Sequence, residues 1–144
     1  MSESIEQSPN SSVPRPRRAW RAKFADAIRG VCWGVREESS CRVHLLATLA
    51  VGACAALLQI SRLEACVLLL CVVGVWTAEL LNTSLEQLAR AIDKRPDTRI
   101  ANALDLASGA VLIMSLGAAS IGVVILGPRS LEAVQGAIER VPIP

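Results

Sequence analysis

Three polar side chains in or just after one long apolar stretch are the first candidates for chemistry in this sequence. Glu79, Asn82 and Glu86 lie in the segment AELLNTSLEQL (78–88) at spacing i, i+3, i+7. On an α-helix this spacing puts all three on one face, with the two carboxylates about 10 Å apart along the axis. A carboxylate in an apolar stretch is costly in lipid, so it usually faces a protein interior or a wet cavity and marks a functional site. The alternative is structural: Glu79 pairs with a neighbouring helix or stays protonated.

Two more carboxylates flank the apolar stretches and extend this candidate site. Glu38 precedes the first stretch and Asp105 opens the third, so we expect both to converge with Glu86 at one membrane surface. Oxygen ligands of this kind suit Mg²⁺, which binds one or two carboxylates and otherwise keeps phosphate oxygens and waters. Simpler interpretations also exist: Glu38 pairs with Arg42 at i+4, and Asp105 is a first-turn acid or, like Asn102, caps the third helix.

The elements that must position these residues are membrane helices. Of the 144 residues 52% are hydrophobic and 19% are charged, whereas about a quarter of the residues in soluble domains are charged. The apolar residues concentrate in three stretches, which predict spans at about 43–60, 65–85 and 106–128, the last ending at Gly127-Pro128. The sequence therefore predicts an all-α integral membrane domain over 17–128. This composition excludes a disordered or fibrous protein.

Shorter segments flank the predicted spans. Residues 1–16 are rich in Ser, Pro and Glu, which predicts a disordered tail. They do not form a signal peptide, because the first apolar run begins only at Val43. Residues 17–36 place Trp20 and Phe24 at helical spacing among basic residues, which predicts an amphipathic surface helix on an anionic membrane; an ordinary surface helix is the alternative. Residues 129–144 are expected to form a short C-terminal tail, frayed or as a short interfacial helix.

Charge and cysteine content limit which partners the protein can have and in which compartment it can lie. The basic N-terminal arm and the segment 88–99 should be cytoplasmic by the positive-inside rule, so the turn at 61–64 faces outward. A formal net charge of +2 is too weak a bias to suggest a nucleic-acid partner. The five cysteines include no C-x-x-C pair, which favours packing residues in a reducing compartment over a disulfide or zinc framework.

Four blocks of sequence resemble the prokaryotic diacylglycerol kinase family. They are FADAIRG (24–30), EESSCRVHL (37–45), AELLNTSLE (78–86) and DLASGAVLI (105–113), and with the order of the spans the resemblance covers about residues 20–126. The block at 78–86 is highly specific. The block at 37–45 is more similar to the undecaprenol kinase branch than to the enterobacterial diacylglycerol kinases.

The resemblance implies a small homotrimeric enzyme of the bacterial inner membrane. It would transfer the γ-phosphoryl group of ATP to a lipid hydroxyl with Mg²⁺, in composite sites between subunits at the cytoplasmic surface. By the family pattern Glu79 is the general base, Glu38 and Glu86 bind Mg²⁺ and ATP, and Asp105 binds ATP. The lipid alcohol is undecaprenol or diacylglycerol, with the branch resemblance tilting toward undecaprenol.

The remaining site residues and one departure also follow from the resemblance. Substrate-binding roles are implied for Arg42, Asn82 and Ser108. The family usually has Lys before Asp105, where this chain has Leu104, so a positive charge expected near the ATP phosphates is missing. Candidates to replace that charge follow the second span: Arg90, Lys94, Arg95 and Arg99.

Two non-enzymatic functions compete with the kinase. The first is a membrane oligomer that binds lipid or a partner after losing ATP chemistry, and Leu104 is its main support. The second is a channel or transporter using Glu79 as an ion site. It ranks last because the sequence shows neither repeated halves nor a pair of broken helices.

Overall fold

The part of the chain that the structure describes forms four helices. The computed structural model describes residues 19–92 and 97–139, and within these ranges it contains no strand. The helices, in chain order, are α1 (Trp20–Glu37), α2 (Ser39–Leu57), α3 (Arg62–Ile92) and α4 (Thr98–Glu139). The predicted all-α architecture is confirmed. The predicted tail at 1–16 and the last residues, 140–144, lie outside the described ranges.

Helices α2, α3 and α4 are each long and apolar enough to cross a bilayer, which confirms the three predicted spans. Large apolar side chains point outward from them: Leu69, Leu70, Val123 and Val124 are 62% to 73% exposed. Only seven of the described residues are buried, and three of these are polar or charged. This inverted pattern suits a protein whose solvent is lipid, where apolar exposure costs nothing and polar groups must be satisfied internally.

Helix α1 has the exposed aromatic residues expected of a surface helix. Trp20 and Phe24 are 74% and 65% exposed, and the Lys23 ammonium lies 4.9 Å from the centre of the Trp20 ring. The chain turns from α1 into α2 at Glu38, whose backbone is extended. Just before this turn, Gly34 is buried against the Cys41 side chain of α2. The arrangement is compatible with the predicted amphipathic helix.

The short connection between α2 and α3 satisfies the backbone groups at both helix ends. The Ile60 N–H donates to the Ala55 carbonyl, while Gln59 adopts a left-handed conformation with φ of 47°. This is the Schellman arrangement that ends helices. The Ser61 N–H then donates to Glu64 Oε2 (2.6 Å), and the Glu64 N–H donates to Ser61 Oγ (3.3 Å). These reciprocal bonds form a capping box that starts α3.

Helix α4 begins earlier than the sequence predicted. The Arg99 N–H donates to the Asp97 carboxylate at 2.7 Å, so Asp97 caps the helix. The suggestion that Asn102 or Asp105 caps this helix is therefore wrong, and so is the interpretation of Asp105 as a first-turn acid. Both residues lie inside α4, because the helix already starts at Thr98.

The predicted helix stop at Gly127-Pro128 is also wrong. Helix α4 continues through both residues to Glu139. Proline is tolerated in membrane helices when neighbouring groups stabilise the backbone around it. Here Arg129, the next residue, makes a bidentate contact with the Glu64 carboxylate of α3, with Nη2 2.8 Å from Oε2. This contact holds the extension of α4 against the start of α3.

Helices α3 and α4 form an antiparallel hairpin that packs along most of its length. The Glu64–Arg129 ion pair marks one end of the hairpin. Near the other end, Ser108 Oγ lies 3.3 Å from Asn82 Oδ1. The polar residues of the candidate site are therefore collected at one end of the bundle, where α1 passes into α2 and α3 ends.

Candidate active site at the polar end of the bundle

Glu79 is the most deeply buried ionisable residue of α3, with only 2% of its surface exposed. Two residues of α2 engage its carboxylate. Ser40 Oγ donates a hydrogen bond to Oε1, and His44 Nε2 lies 3.6 Å from Oε2. Glu79 thus faces the protein interior rather than lipid, with each oxygen held by a different partner.

These partners belong to a polar stripe on α2 that faces α3. Ser40, His44 and Thr48 follow one another at intervals of four residues. Thr48 Oγ1 donates to the His44 carbonyl (2.8 Å) and accepts a hydrogen bond from the Trp76 indole of α3 (3.0 Å). In the sequence alone, His44 and Thr48 are only polar interruptions of an apolar span. Their regular spacing is the signal that could have identified them as the facing partners of the Glu79 helix.

Asn82 links α3 to α4 and orients Glu86. It is 8% exposed, and its Nδ2 donates to Glu86 Oε1 at 2.9 Å. On the other side of the amide, Oδ1 lies 3.3 Å from Ser108 Oγ. Glu79, Asn82 and Glu86 therefore form one continuous polar face of α3, with Glu79 directed to α2 and Asn82 directed to α4.

The side chains of Glu38 and Glu86 are bridged by the guanidinium of Arg90. Gln87 Nε2 donates to Glu38 Oε1 at 2.9 Å. The Arg90 guanidinium reaches both carboxylates, with Nη2 3.3 Å from Glu86 Oε2 and Nη1 3.9 Å from Glu38 Oε1. The structure thus brings together two of the three carboxylates that were expected to converge.

Arg42 and Asp105 lie outside this cluster. Arg42 donates to the Arg36 carbonyl at 3.1 Å, so the suggested Glu38–Arg42 pair is not formed. Asp105 is exposed on α4 beside a shallow depression. The described residues that line this depression all belong to α4, and neither Glu38 nor Glu86 is among them.

The donor set of the cluster fits a magnesium ion. In the described ranges no three His, Cys, Asp or Glu side chains converge as a closed metal centre. Two carboxylates already share a positive group, since the Arg90 guanidinium lies against both Glu38 and Glu86. Mg²⁺ needs only one or two carboxylates when phosphate oxygens and waters complete its shell. These two residues could therefore hold the ion together with a nucleotide.

An apolar groove of about 620 Å³ extends away from the site between α2, α3 and α4. His44 lines the groove, and the same residue contacts Glu79. Along the groove the walls are mainly small and aliphatic, among them Val51, Leu68 and Ala118. The buried Glu79 carboxylate thus lies next to one end of the apolar groove, with His44 in contact with both.

Comparison with known proteins places this chain in a family. The sequence profile of prokaryotic diacylglycerol kinase matches residues 25–126. Undecaprenol kinase of Bacillus subtilis is 31% identical over 106 residues, which cover 74% of this chain and 86% of that protein. Diacylglycerol kinase of a Synechocystis species is 30% identical over 131 residues, covering 86% of this chain and 75% of that protein. No solved structure matches the chain at a significant level.

The region matched by the profile contains the whole polar cluster, from Glu38 to Arg90, together with Ser108. It covers well over half of the chain, and both relatives reach at least 30% identity over more than two thirds of it. The four blocks noted in the sequence lie within or at the edge of the same region. The chain, whose described residues include three helices long and apolar enough to cross a membrane, belongs to the prokaryotic diacylglycerol kinase family of lipid kinases.

Proposed function

We propose that this protein is a Mg²⁺-dependent kinase that transfers the γ-phosphoryl group of ATP to the hydroxyl of a membrane lipid alcohol. The observation that carries the proposal is the buried Glu79 carboxylate, held by Ser40 and His44 next to an apolar groove. The names of the two relatives, an undecaprenol kinase and a diacylglycerol kinase, support the same class of reaction.

In this mechanism Glu79 acts as the general base toward the lipid. The carboxylate accepts the hydroxyl proton as the lipid oxygen attacks the γ-phosphorus, the bond between the γ-phosphorus and the β,γ-bridging oxygen breaks, and ADP leaves. Phosphoryl transfer depends mostly on positioning and charge neutralisation, with little other covalent chemistry for the protein to perform. The contacts from Ser40 and His44 hold the carboxylate in one orientation, which is what a positioned base requires.

Glu38 and Glu86 are the residues that would hold Mg²⁺ with the nucleotide. When bound, the ion neutralises phosphate charge and orients the transferred group. Gln87 and Asn82 each donate a hydrogen bond to one of these carboxylates, so both are oriented by an amide. Such supporting hydrogen bonds fix the direction of a metal ligand.

The apolar groove is proposed to take the hydrocarbon chain of the lipid. A hydroxyl that reaches Glu79 passes His44, which lines the groove, so the attached chain continues along the aliphatic wall. Both undecaprenol and diacylglycerol present an alcohol on a long apolar chain. The EESSCRVHL block at 37–45 favours undecaprenol as the first substrate to test.

The site is proposed to be completed in a homotrimer whose active sites face the cytoplasm. Asp105 is exposed on α4 and lies outside the cluster of its own chain, so it would serve the nucleotide site of a neighbouring subunit. Arg36, Arg42 and Arg90 lie at the end of the bundle that carries the cluster, which supports a cytoplasmic position for that end.

A lipid phosphorylation assay tests the proposal. Purified protein in mixed micelles is incubated with labelled Mg-ATP and either undecaprenol or diacylglycerol. Glu79→Gln should lower the rate about a thousandfold, within the usual range for loss of a general base, while Mg-ATP affinity is retained. The matched control is Glu132→Gln, an exposed carboxylate on α4, which should keep the wild-type rate. Folded wild-type protein that labels neither lipid would refute the proposal.

The second candidate is a membrane oligomer that binds lipid without ATP chemistry, and the presence of Leu104 favours it. Calorimetry with Mg-ATP separates the two functions. The second candidate predicts no nucleotide binding, a result that would rule out the kinase. Binding that is lost in Glu86→Ala, by contrast, would exclude it.

A further inference from the structure

Arg90 occupies an unusual position for a mostly exposed residue. It lies in the last turn of α3, and its side chain is 63% exposed. Its guanidinium nevertheless contacts two carboxylates from different segments, Glu86 one turn earlier and Glu38 at the break between α1 and α2. Both carboxylates are less exposed than the arginine itself, at 33% and 21%. The cation therefore covers the pair from the solvent side.

This position conflicts with the proposed binding of a metal ion. Mg²⁺ binds carboxylate oxygens at about 2.0–2.1 Å, and a guanidinium against the same oxygens opposes it by charge and by volume. The contacts of Arg90 are long, at 3.3 and 3.9 Å, and exposed ion pairs are weak. The long side chain can therefore leave the carboxylates when a divalent ion arrives.

Once it leaves the carboxylates, the Arg90 guanidinium can bind the phosphates of a nucleotide. The polyphosphate of a nucleotide held through Glu38 and Glu86 would lie within reach of residue 90. The planar fork of arginine matches the oxygens of phosphate better than an ammonium does. Of the other basic residues near the break, Arg42 is engaged with the Arg36 carbonyl. Arg90 is therefore the described cation best placed to exchange carboxylate for phosphate.

We propose that Arg90 is a two-position residue. Without nucleotide it neutralises Glu38 and Glu86, and with Mg-ATP it moves to the β- and γ-phosphate oxygens. The inference rests on the proposed kinase function and adds a nucleotide-binding role for a residue of this chain. In this role Arg90 weakens the binding of a free metal ion and strengthens the binding of Mg-ATP. A purely structural role would not produce these opposite effects on the two ligands.

Equilibrium binding with the full-length protein in lipid nanodiscs tests these opposed effects. The probe for the metal site is Mn²⁺ alone, followed by electron paramagnetic resonance, and Mg-ATP is titrated by calorimetry. Arg90→Gln should bind Mn²⁺ about two- to fivefold more tightly, as expected when a weak competing ion pair is removed. The same variant should bind Mg-ATP about tenfold more weakly, since a charged hydrogen bond to phosphate is lost.

Two further variants and one further ligand sharpen the test. Arg36→Gln removes the same charge two residues from Glu38, and it should leave both affinities within about twofold because the charge there is screened by solvent. Arg90→Lys keeps the charge but loses the planar fork, so it should recover part of the Mg-ATP affinity. AMP lacks the β- and γ-phosphates, and its affinity should therefore be nearly the same in wild type and Arg90→Gln.

The outcomes separate the inference from the proposed function. Opposite shifts for Mn²⁺ and Mg-ATP in Arg90→Gln support the two-position role. A parallel weakening of both ligands, or no change in either, overturns it while leaving the kinase proposal standing. Wild-type protein that binds no Mg-ATP at all overturns the proposed function itself, and the inference with it.

Discussion

The two faces of α3 meet their neighbours with different chemistry. Toward α2, the contact carries polar links beside the reacting carboxylate: Ser40 and His44 on Glu79, and Thr48 on Trp76. Toward α4, the contact extends along most of both helices, with polar links near its ends and apolar packing between them. Helix α3 thus has a polar contact with α2 on one face and an extended contact with α4 on the other.

The difference between these interfaces indicates a division of roles. A polar contact in a membrane protein is stable only if each group finds a partner, so it specifies one geometry and suits a reacting carboxylate. An extended apolar contact tolerates small adjustments of side chains and maintains the bundle. We therefore expect substitutions at the α2–α3 interface to lower activity, and also stability where they leave the buried carboxylate without partners. Substitutions at the α3–α4 interface should lower stability and leave the rate per folded molecule nearly unchanged.

Among substitutions at the two interfaces, the largest effect is expected when Glu79 loses both partners. The double variant Ser40→Ala/His44→Leu leaves its buried carboxylate without the groups that now engage Oε1 and Oε2. Phosphorylation of lipid should fall about a hundredfold, the effect of misplacing a reacting group by about 1 Å. The free energy of unfolding should fall by about 3 kcal/mol, because a buried charge loses its partners.

The control for this variant is Ser84→Ala, which removes an exposed hydroxyl from α3 that bonds only its own helix. It should keep both wild-type activity and wild-type stability. Rates are measured in mixed micelles, and stability is measured by denaturant titration in the same detergent. Wild-type activity in the double variant would show that the α2–α3 interface does not position Glu79.

The sequence predicted one side of this interface and missed the other. Helical spacing was enough to place Glu79, Asn82 and Glu86 on a common face, because these residues belong to a single helix. Their partners were missed because residues 40 and 44 reach Glu79 only in one register of α2 against α3. That register depends on the turn between the helices and on packing, which the pattern within a single helix does not specify.

The errors at the two ends of α4 have a similar origin. The start was misplaced because the Asp97 cap lies outside the apolar stretch that defined the span. The stop was misplaced because proline usually ends a helix in water. In the folded chain, the ion pair between Arg129 and Glu64 secures the helix beyond Pro128. Such long-range contacts are invisible to local sequence rules.

A second, intermediate effect is expected from overpacking the α3–α4 interface. The first carbon of a side chain at Gly74 would overlap the terminal methyl of Met114. Gly74→Leu should therefore lower the free energy of unfolding by about 1–3 kcal/mol, as overpacked cores do. The rate per folded molecule should stay within about twofold of wild type, because Glu79 faces α2 and is not in contact with this position.

Two companion variants separate overpacking from other causes. Gly74→Ala should be nearly neutral, since the flexible end of Met114 can move and alanine favours the helix. Adding Met114→Ala to Gly74→Leu should restore part of the lost stability. If the added substitution restores nothing, the loss arises elsewhere than in the α3–α4 contact.

The smallest effect is expected at the outer end of the same interface, where Arg129 meets Glu64. Their side chains are 35% and 27% exposed, so solvent screens the pair and its contribution should be about 1 kcal/mol or less. Arg129→Gln, Glu64→Gln and the double variant form a cycle whose coupling energy measures the pair directly. The coupling energy should shrink at high salt.

Lipid phosphorylation in these variants should stay at the wild-type rate, because the pair lies at the opposite end of α3 from Glu86 and Arg90. A rate that falls in step with the coupling energy would mean that the α3–α4 interface also positions the reacting groups, and the division between the two faces of α3 would then be wrong.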